Sequence, residues 1–385
     1  MKNTYFLIGL VTIILASGCV SQRVVTCIPS GNGENIQEAL AKPGSRAMLC
    51  KNAVFDLRNP IVFTHENQEI VTEDLPTDDS RAILRLAHPD VVTAIDGEDV
   101  SGIKIRNIIV DGNRPRLGSY GVGKGLILIG GMASDQVVER VKAYEPRGWS
   151  TIHIYEGDVK AGKTCNNAAV TNSEFGPAGQ PDGSWSDGIS LACRNSLVAN
   201  NMIVDATDGG IVIFQAPGSL IANNTIRSET RLLLGGINLV DYTPFKGDYR
   251  GTRVIGNIID AAGAPIQVAM PMGERLAFCY DPESDDPRGD LPNRGAVVKN
   301  NTLKGEHMRY GFAAYGVEDW TVIDNIDLST HQGTPVKECN ERIPDPPSGF
   351  QKDPTEAKGI FQKEFVDAYL GAAMEAMEDH PPAKY

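Results

Sequence analysis

Asp187-Gly188-Ile189 is followed 21 residues later by Asp208-Gly209-Gly210-Ile211. Two carboxyls brought together by such a repeat titrate as a pair, one of them holding a proton above its usual pKa. A pair of that kind can give a proton to one atom and take one from another, or it can cradle a cation. Asp-Gly is also ordinary turn vocabulary, needed wherever a chain bends. The decision rests on what brings the two acids together and what surrounds them.

The residues before the first acid are rich in chemistry. "YEPRGWSTIHIYEGD", residues 144–158, holds Glu145, Arg147, Trp149, His153 and Glu156. His153 should face outward between inward Ile152 and Ile154, one repeat before Ser190, with Trp149 near Trp185 on the neighbouring repeat. Beyond Asp208 come Glu229, Arg231, Asp241 and Tyr242. Flat apolar rings beside acids and arginines suit a sugar: rings stack on rings, and charges meet hydroxyls or uronates. The candidate catalytic residues are therefore Asp187, Asp208 and His153. The candidate substrate-binding residues are Trp149, Trp185, Arg147, Glu156, Arg231 and Asp241.

These residues need a scaffold that repeats. Short apolar strands recur around Ile127, Ile152, Ile189, Ile211, Ile237, Ile266 and Phe312, at steps of 25, 37, 22, 26, 29 and 46 residues. Between them run segments such as "SLVANNMIVDA", "SLIANNTIRS" and "AVVKNNTLKG", in which asparagine follows two or three aliphatic residues. Asparagine is poor in ordinary strands, so its return at one phase has a cause. Successive coils stacked about 4.8 Å apart let an inward asparagine hydrogen-bond its equivalents above and below. The chain therefore reads as all-β, a right-handed single-stranded parallel β-helix over residues 20–340. Residues 35–41 form an amphipathic helix capping its first coil, because a solenoid end must be protected. Residues 341–385 read as a Pro-rich linker followed by a C-terminal helix over 355–378.

The chain has 385 residues and a formal net charge of −13, so it has no basic stripe with which to hold nucleic acid. A positive start, an apolar run over residues 5–15 and small residues before Cys19 read as a signal ending in a lipoprotein box (1–19), with Cys19 acylated, or as an ordinary secretory signal. Six cysteines remain, an even number suited to an oxidising compartment. Of the possible connectivities we expect the sequential one: Cys27–Cys50, Cys165–Cys193 and Cys279–Cys339. No cysteine or histidine spacing suits zinc. The acids of 281–290 read as a solvated loop rather than a calcium site, so neither a metal nor another cofactor is expected.

The stretch around the two acids resembles the pectin-lyase-like β-helix superfamily and, within it, the polygalacturonases, whose motifs are N-T-D-G, D-D-C, G-H-G and R-I-K. Asp187 in "WSDGI" matches the aspartate of the first. Asp208 in "TDGGI" matches the first aspartate of the second, which in that family is the proton donor to the leaving group. Gly209 stands where the second aspartate of that motif belongs, Gly235 where the histidine does, and "PIQ" at 265–267 replaces R-I-K. The resemblance implies an exported enzyme that cleaves a polysaccharide, a glycoside hydrolase with Asp208 as acid and Asp187 as base or water-positioner. A lyase or uronate epimerase on the same face would use His153 with Arg147, Arg194 or Arg231. A non-catalytic surface protein that binds carbohydrate would use the acids only to brace turns. The expected partner is a poly- or oligosaccharide bound by a monomer, with membrane contact only through a lipid anchor.

Overall fold

The computed structural model describes residues 1, 27–120, 124–180, 184–239, 244–273, 292–314, 316–331, 350–352 and 357–365. Cys19 and the rest of the leader, Asp241, Tyr242, Cys279 and Cys339 lie outside the described residues, as do residues 281–290. Among the described residues nearly every element is a short strand. These assemble into three long parallel sheets of 10, 11 and 12 strands, in which each strand pairs with its equivalents one coil before and after. The architecture is the right-handed parallel β-helix that the repeats predict. Its core is a continuous column of aliphatic side chains, with Ile127, Ile152, Ile189, Ile211 and Ile237 fully buried.

The stretch read as one asparagine-centred strand is two strands with a corner between them. Leu197–Ala199 belongs to one sheet and Met202–Val204 to the next, with Asn200-Asn201 turning the chain. The two asparagines act differently. Asn200 is exposed and takes the left-handed conformation (φ 58°), which asparagine tolerates better than most residues. Asn201 points inward and starts a stack. Its Nδ2 donates to Asn224 Oδ1 at 3.0 Å, and Asn224 continues to Asn257 at 3.0 Å. Asn257 donates to Asn301 and Asn301 to Asn325, each at 2.9 Å. Every amide also donates to a strand carbonyl and accepts the backbone N–H of the coil below, as Asn224 does with Val198 O and Asn201 N. A one-residue slip would leave several buried polar groups unpaired, so the stack holds the register.

Two expectations are corrected. Ile266 pairs with Leu233 rather than Ile237, and Met270 stands over Phe312. The strand Ile266–Met272 enters the sheet early, and apolar spacing alone does not show where in its run the pairing begins. The helix expected over 355–378 begins later: Ala357–Phe361 is a strand paired with Val317–Ile323, and residues 363–365 are helical. The last coil leaves an open sheet edge, and this strand covers it. Gln362 then closes the asparagine stack, its Oε1 accepting from Asn325 N and Nδ2. The rest of that stretch, 366–378, lies outside the described residues. At the other end the helix Glu34–Ala39 caps the first coil, burying Ile36.

The Cys27–Cys50 and Cys165–Cys193 disulfides form as expected, and both suit an oxidising compartment. Among the described residues no helix is long and apolar enough to cross a membrane.

Asn224→Ala should strand the Asn201 amide, Val198 O and one link of the stack. It should lower unfolding free energy by at least about 3 kcal/mol. Asn223→Gly, at an exposed left-handed position (φ 54°), should change stability by less than about 0.5 kcal/mol. Denaturant titration of both variants checks this.

Candidate active site

The two acids sit on one exterior face, that of the 10-stranded sheet. Asp187 begins the strand Asp187–Leu191, and Asp208 immediately precedes Gly209–Ile213 on the next coil. Ile189 pairs with Ile211, so Gly209 rather than Asp208 lies opposite Asp187. The extra glycine of "DGGI" moves the second acid one residue earlier, to the corner.

Asp187 is only 3% exposed yet is not in the apolar column. Its Oδ1 accepts the Gly209 N–H at 3.0 Å and its Oδ2 meets Ser190 Oγ at 2.7 Å. Ser190 Oγ in turn lies 2.7 Å from Ser150 Oγ, whose hydroxyl reaches Ile152 O at 2.9 Å. Gly209 is required for this packing. A Cβ there would lie 2.1 Å from Val212 Cγ2, 2.8 Å from Asn238 Nδ2 and 3.2 Å from Asp187 Oδ1. A side chain at the position that carries the second aspartate in polygalacturonases would therefore force Val212 and Asn238 to move. Asn238, 2% exposed, approaches the same spot, and its Oδ1 has no hydrogen-bond partner among the described residues.

Asp208 is half-buried, and its side chain accepts no hydrogen bond among the described residues. Its carbonyl receives the Gly235 N–H, which sets Leu234 beside it on the following coil. Leu234 belongs to a second apolar cluster outside the main core, with Val268, Tyr310 and Ala313, against which Trp185 and Leu232 pack. These surroundings explain the electrostatics. Burial raises Asp208 to about 6, and burial together with the Asp208 charge raises Asp187 well above the usual carboxylate range. The repulsion belongs to the pair, because whichever carboxyl ionises second meets the charge of the first. The pair therefore gives up its protons only above the usual carboxylate range. Two donors, the Gly209 N–H and the Ser190 hydroxyl, face Asp187 and offset part of the cost of burying its charge.

On the preceding coil, His153 lies between the rings of Trp149 (4.7 Å) and Tyr155 (5.6 Å) and pairs in register with Ser190. Burial and the Lys124 charge lower its pKa to about 4, so it is uncharged at neutral pH. Trp149 is 36% exposed. One aromatic surface, Trp149–His153–Tyr155, thus stands on the coil before the acids, while Trp185, two residues before Asp187, packs on the cluster that holds the buried Tyr310 ring.

Other candidates are placed elsewhere. Arg147 is 3% exposed, and its guanidinium donates to the carbonyls of His88, Pro89, Val91, Leu117 and Gly118. It ties loops together and has no face left for a substrate, which corrects the expectation. Arg231 pairs with Glu145 at 2.7 Å and donates to Gly179 O, and Glu145 also binds Arg114. That triad braces the corners and takes Arg231 out of the substrate-binding set. Glu156 is buried and lines a separate 820 Å³ cleft with Glu98, Asp99, Tyr155, Asp158 and Lys160. Among the described residues, the one His/Cys/Asp/Glu grouping with metal-like spacing, Cys27, Cys50 and Glu73, has both sulfurs in a disulfide. Ser150, Ser190 and Asn238 were not foreseen; the sole signal was a polar residue at an outward strand position.

No protein-family model matches the chain, and no curated protein does. Solved structures similar in chain path include the Streptococcus pneumoniae surface protein and adhesin PfbA, at 12% identity and TM-score 0.46, covering 75% of this chain and 89% of that one. The Azotobacter vinelandii mannuronan C-5 epimerase AlgE6 A-module matches at 15% and 0.43, covering 83% and 93%. The Aspergillus tubingensis endo-xylogalacturonan hydrolase matches at 12% and 0.44, covering 86% and 92%. Function has to be argued from the site itself.

Both acids titrate above their unfolded value, so the stability they lend is present below about pH 4 and is lost as pH rises through their folded pKa values. Asp187→Asn keeps the shape and removes the charge. It should raise Tm at pH 7 to 8, with the gain vanishing near pH 4, as thermal scans across that range would show. His153 acts oppositely, lending stability above about 6.5 that is lost as pH falls toward 4, and it leaves the comparison between these two proteins unchanged.

Proposed function

We propose that the protein is an exported carbohydrate-active enzyme, a glycoside hydrolase in which Asp208 is the acid and Asp187 the base. One observation carries this reading: two carboxyls of raised pKa on adjacent coils, one buried and held by two donors, the other half-buried with no hydrogen-bond partner among the described residues, beside the aromatic surface of Trp149, His153 and Tyr155. Asp208, with its pKa raised to about 6, is protonated for a useful fraction of molecules near neutrality and gives its proton to the departing glycosidic oxygen. In that fraction Asp187, ionised and fixed by Ser190 and Gly209, takes a proton from the water that attacks the anomeric carbon. The exposed Trp149 ring, with half-buried Trp185, holds the sugar rings above the pair.

The engaged arginines bear on the substrate. Elimination or epimerisation of a uronate needs a cation beside its carboxylate. Arg147 and Arg231 are bound elsewhere, Arg194 stacks on the Phe245 ring at 5.8 Å, His153 is neutral, and Lys124, whose charge reaches His153, pairs with Glu98 at 3.4 Å. These observations favour hydrolysis over the lyase or epimerase chemistry. A lipid anchor at Cys19 would hold such an enzyme at the cell envelope, and cleavage of the leader without acylation would release it.

Asp208→Asn should lower turnover by about 10²- to 10⁴-fold while oligosaccharide binding persists. New reducing ends are measured against a panel of plant, fungal and bacterial polysaccharides, with binding followed by calorimetry. Turnover equal to the parent's removes Asp208 from the chemistry. Binding by a parent that never cleaves any polymer supports a lectin instead.

A further inference from the structure

The side chains behind Asp187 form a line that can run in either direction. Asp187 Oδ2, Ser190 Oγ, Ser150 Oγ and Ile152 O are joined by contacts of 2.7, 2.7 and 2.9 Å. Both serines are fully buried, so no exposed surface offers them another partner. Each hydroxyl has one hydrogen to give, and counting hydrogens yields two complete arrangements. With Asp187 ionised, Ser150 donates to Ser190 and Ser190 donates to the carboxylate. With Asp187 protonated, its O–H donates to Ser190, Ser190 donates to Ser150, and Ser150 donates to the Ile152 carbonyl. The line ends on an acceptor, so no hydrogen is stranded in either direction.

We propose that Ser190 and Ser150 are positioning residues that reverse their hydrogen bonds as Asp187 gains and loses a proton, so that one buried carboxyl is satisfied in both states of the reaction. The inference rests on the hydrolase reading for its purpose but on the hydrogen bonds alone for its geometry. In the forward step one O–H bond of the attacking water breaks and its proton goes to Asp187 Oδ2. The water oxygen bonds to the anomeric carbon as the glycosidic C–O bond breaks, and the Asp208 proton goes to the leaving oxygen. The two hydroxyls rotate and exchange no proton with the carbonyl. Afterwards Asp187 returns its proton, and Asp208 regains one, through solvent. Among the described residues, the charged or titratable neighbours of Asp187 are Asp208 on the next coil and His153, beside Ser190 on the preceding coil and uncharged above about pH 4.

The line makes opposite demands on its two serines. Removing Ser190 deprives the carboxylate of a donor, so Asp187 should hold its proton to higher pH. Removing Ser150 leaves the Ser190 hydrogen without an acceptor only when Asp187 is protonated, so Asp187 should lose its proton at lower pH. The test is a carbon-13 NMR titration of the full chain labelled at the aspartate carboxyls, without substrate, with the Asp187 resonance identified by its loss in Asp187→Asn. Ser190→Ala should raise the Asp187 midpoint by about one pH unit and Ser150→Ala should lower it by a similar amount. Midpoints that move together, or that do not move, overturn the proposal. Should Ser190→Ala fail to fold, Ser190→Cys keeps the volume with a weak donor and must shift the midpoint upward. Opposite shifts alongside an active Asp208→Asn would keep the reversible line and discard the hydrolase. Unmoved midpoints alongside an inactive Asp208→Asn would do the reverse.

Discussion

The stack of inward asparagines from Asn201 to Asn325 is the constraint on which the rest of the structure depends. A β-helix is held by backbone bonds between coils that are alike, and similar coils can slide. Aliphatic side chains resist sliding weakly, because one isoleucine packs nearly as well as another. A buried amide that must find a carbonyl below and an amide above resists it strongly. With the register fixed at one corner, the opposite face of each coil is fixed too, and residues 21 positions apart in the chain come to share one patch of surface.

On that patch the protein accepts a local penalty. Two carboxyls are placed where burial and mutual repulsion disfavour their charge, and the stability they withhold rises with pH. An isosteric amide would remove this penalty, and a fold selected for stability alone would carry one. Strain of this kind, concentrated at a few titratable groups on an otherwise regular solenoid, is typical of a working site. The glycine opposite Asp187 fits the same view: it leaves space into which the carboxyl and the Asn238 amide converge.

Much of this was legible in the sequence. The strand repeat, the asparagine phase, the capping helix and two disulfides all follow from local pattern, because each coil makes the same demands as its neighbours. The nearness of Asp187 and Asp208 was legible too, though their offset by one residue was not, since a glycine in the turn looks the same whether or not it shifts the register. Arg147 and Arg231 misled for a related reason: an arginine near acids reads alike whether it meets a ligand or is taken up by backbone carbonyls and structural acids. Ser150 and Ser190 carry no sequence signal beyond polarity at an outward position. The strand at Ala357–Phe361 was hidden because its reason for existing, an open edge on the last coil, is a property of the assembled sheet.

The most direct measurement is a crystal structure of Asp208→Asn bound to an oligosaccharide found to be cleaved by the parent protein. The account predicts a glycosidic oxygen within hydrogen-bonding distance of the residue 208 side chain, with sugar rings lying over Trp149 on one side and Trp185 on the other. A chain bound in the cleft of Glu98, Glu156 and Lys160, with no sugar atom near residue 208, would contradict it.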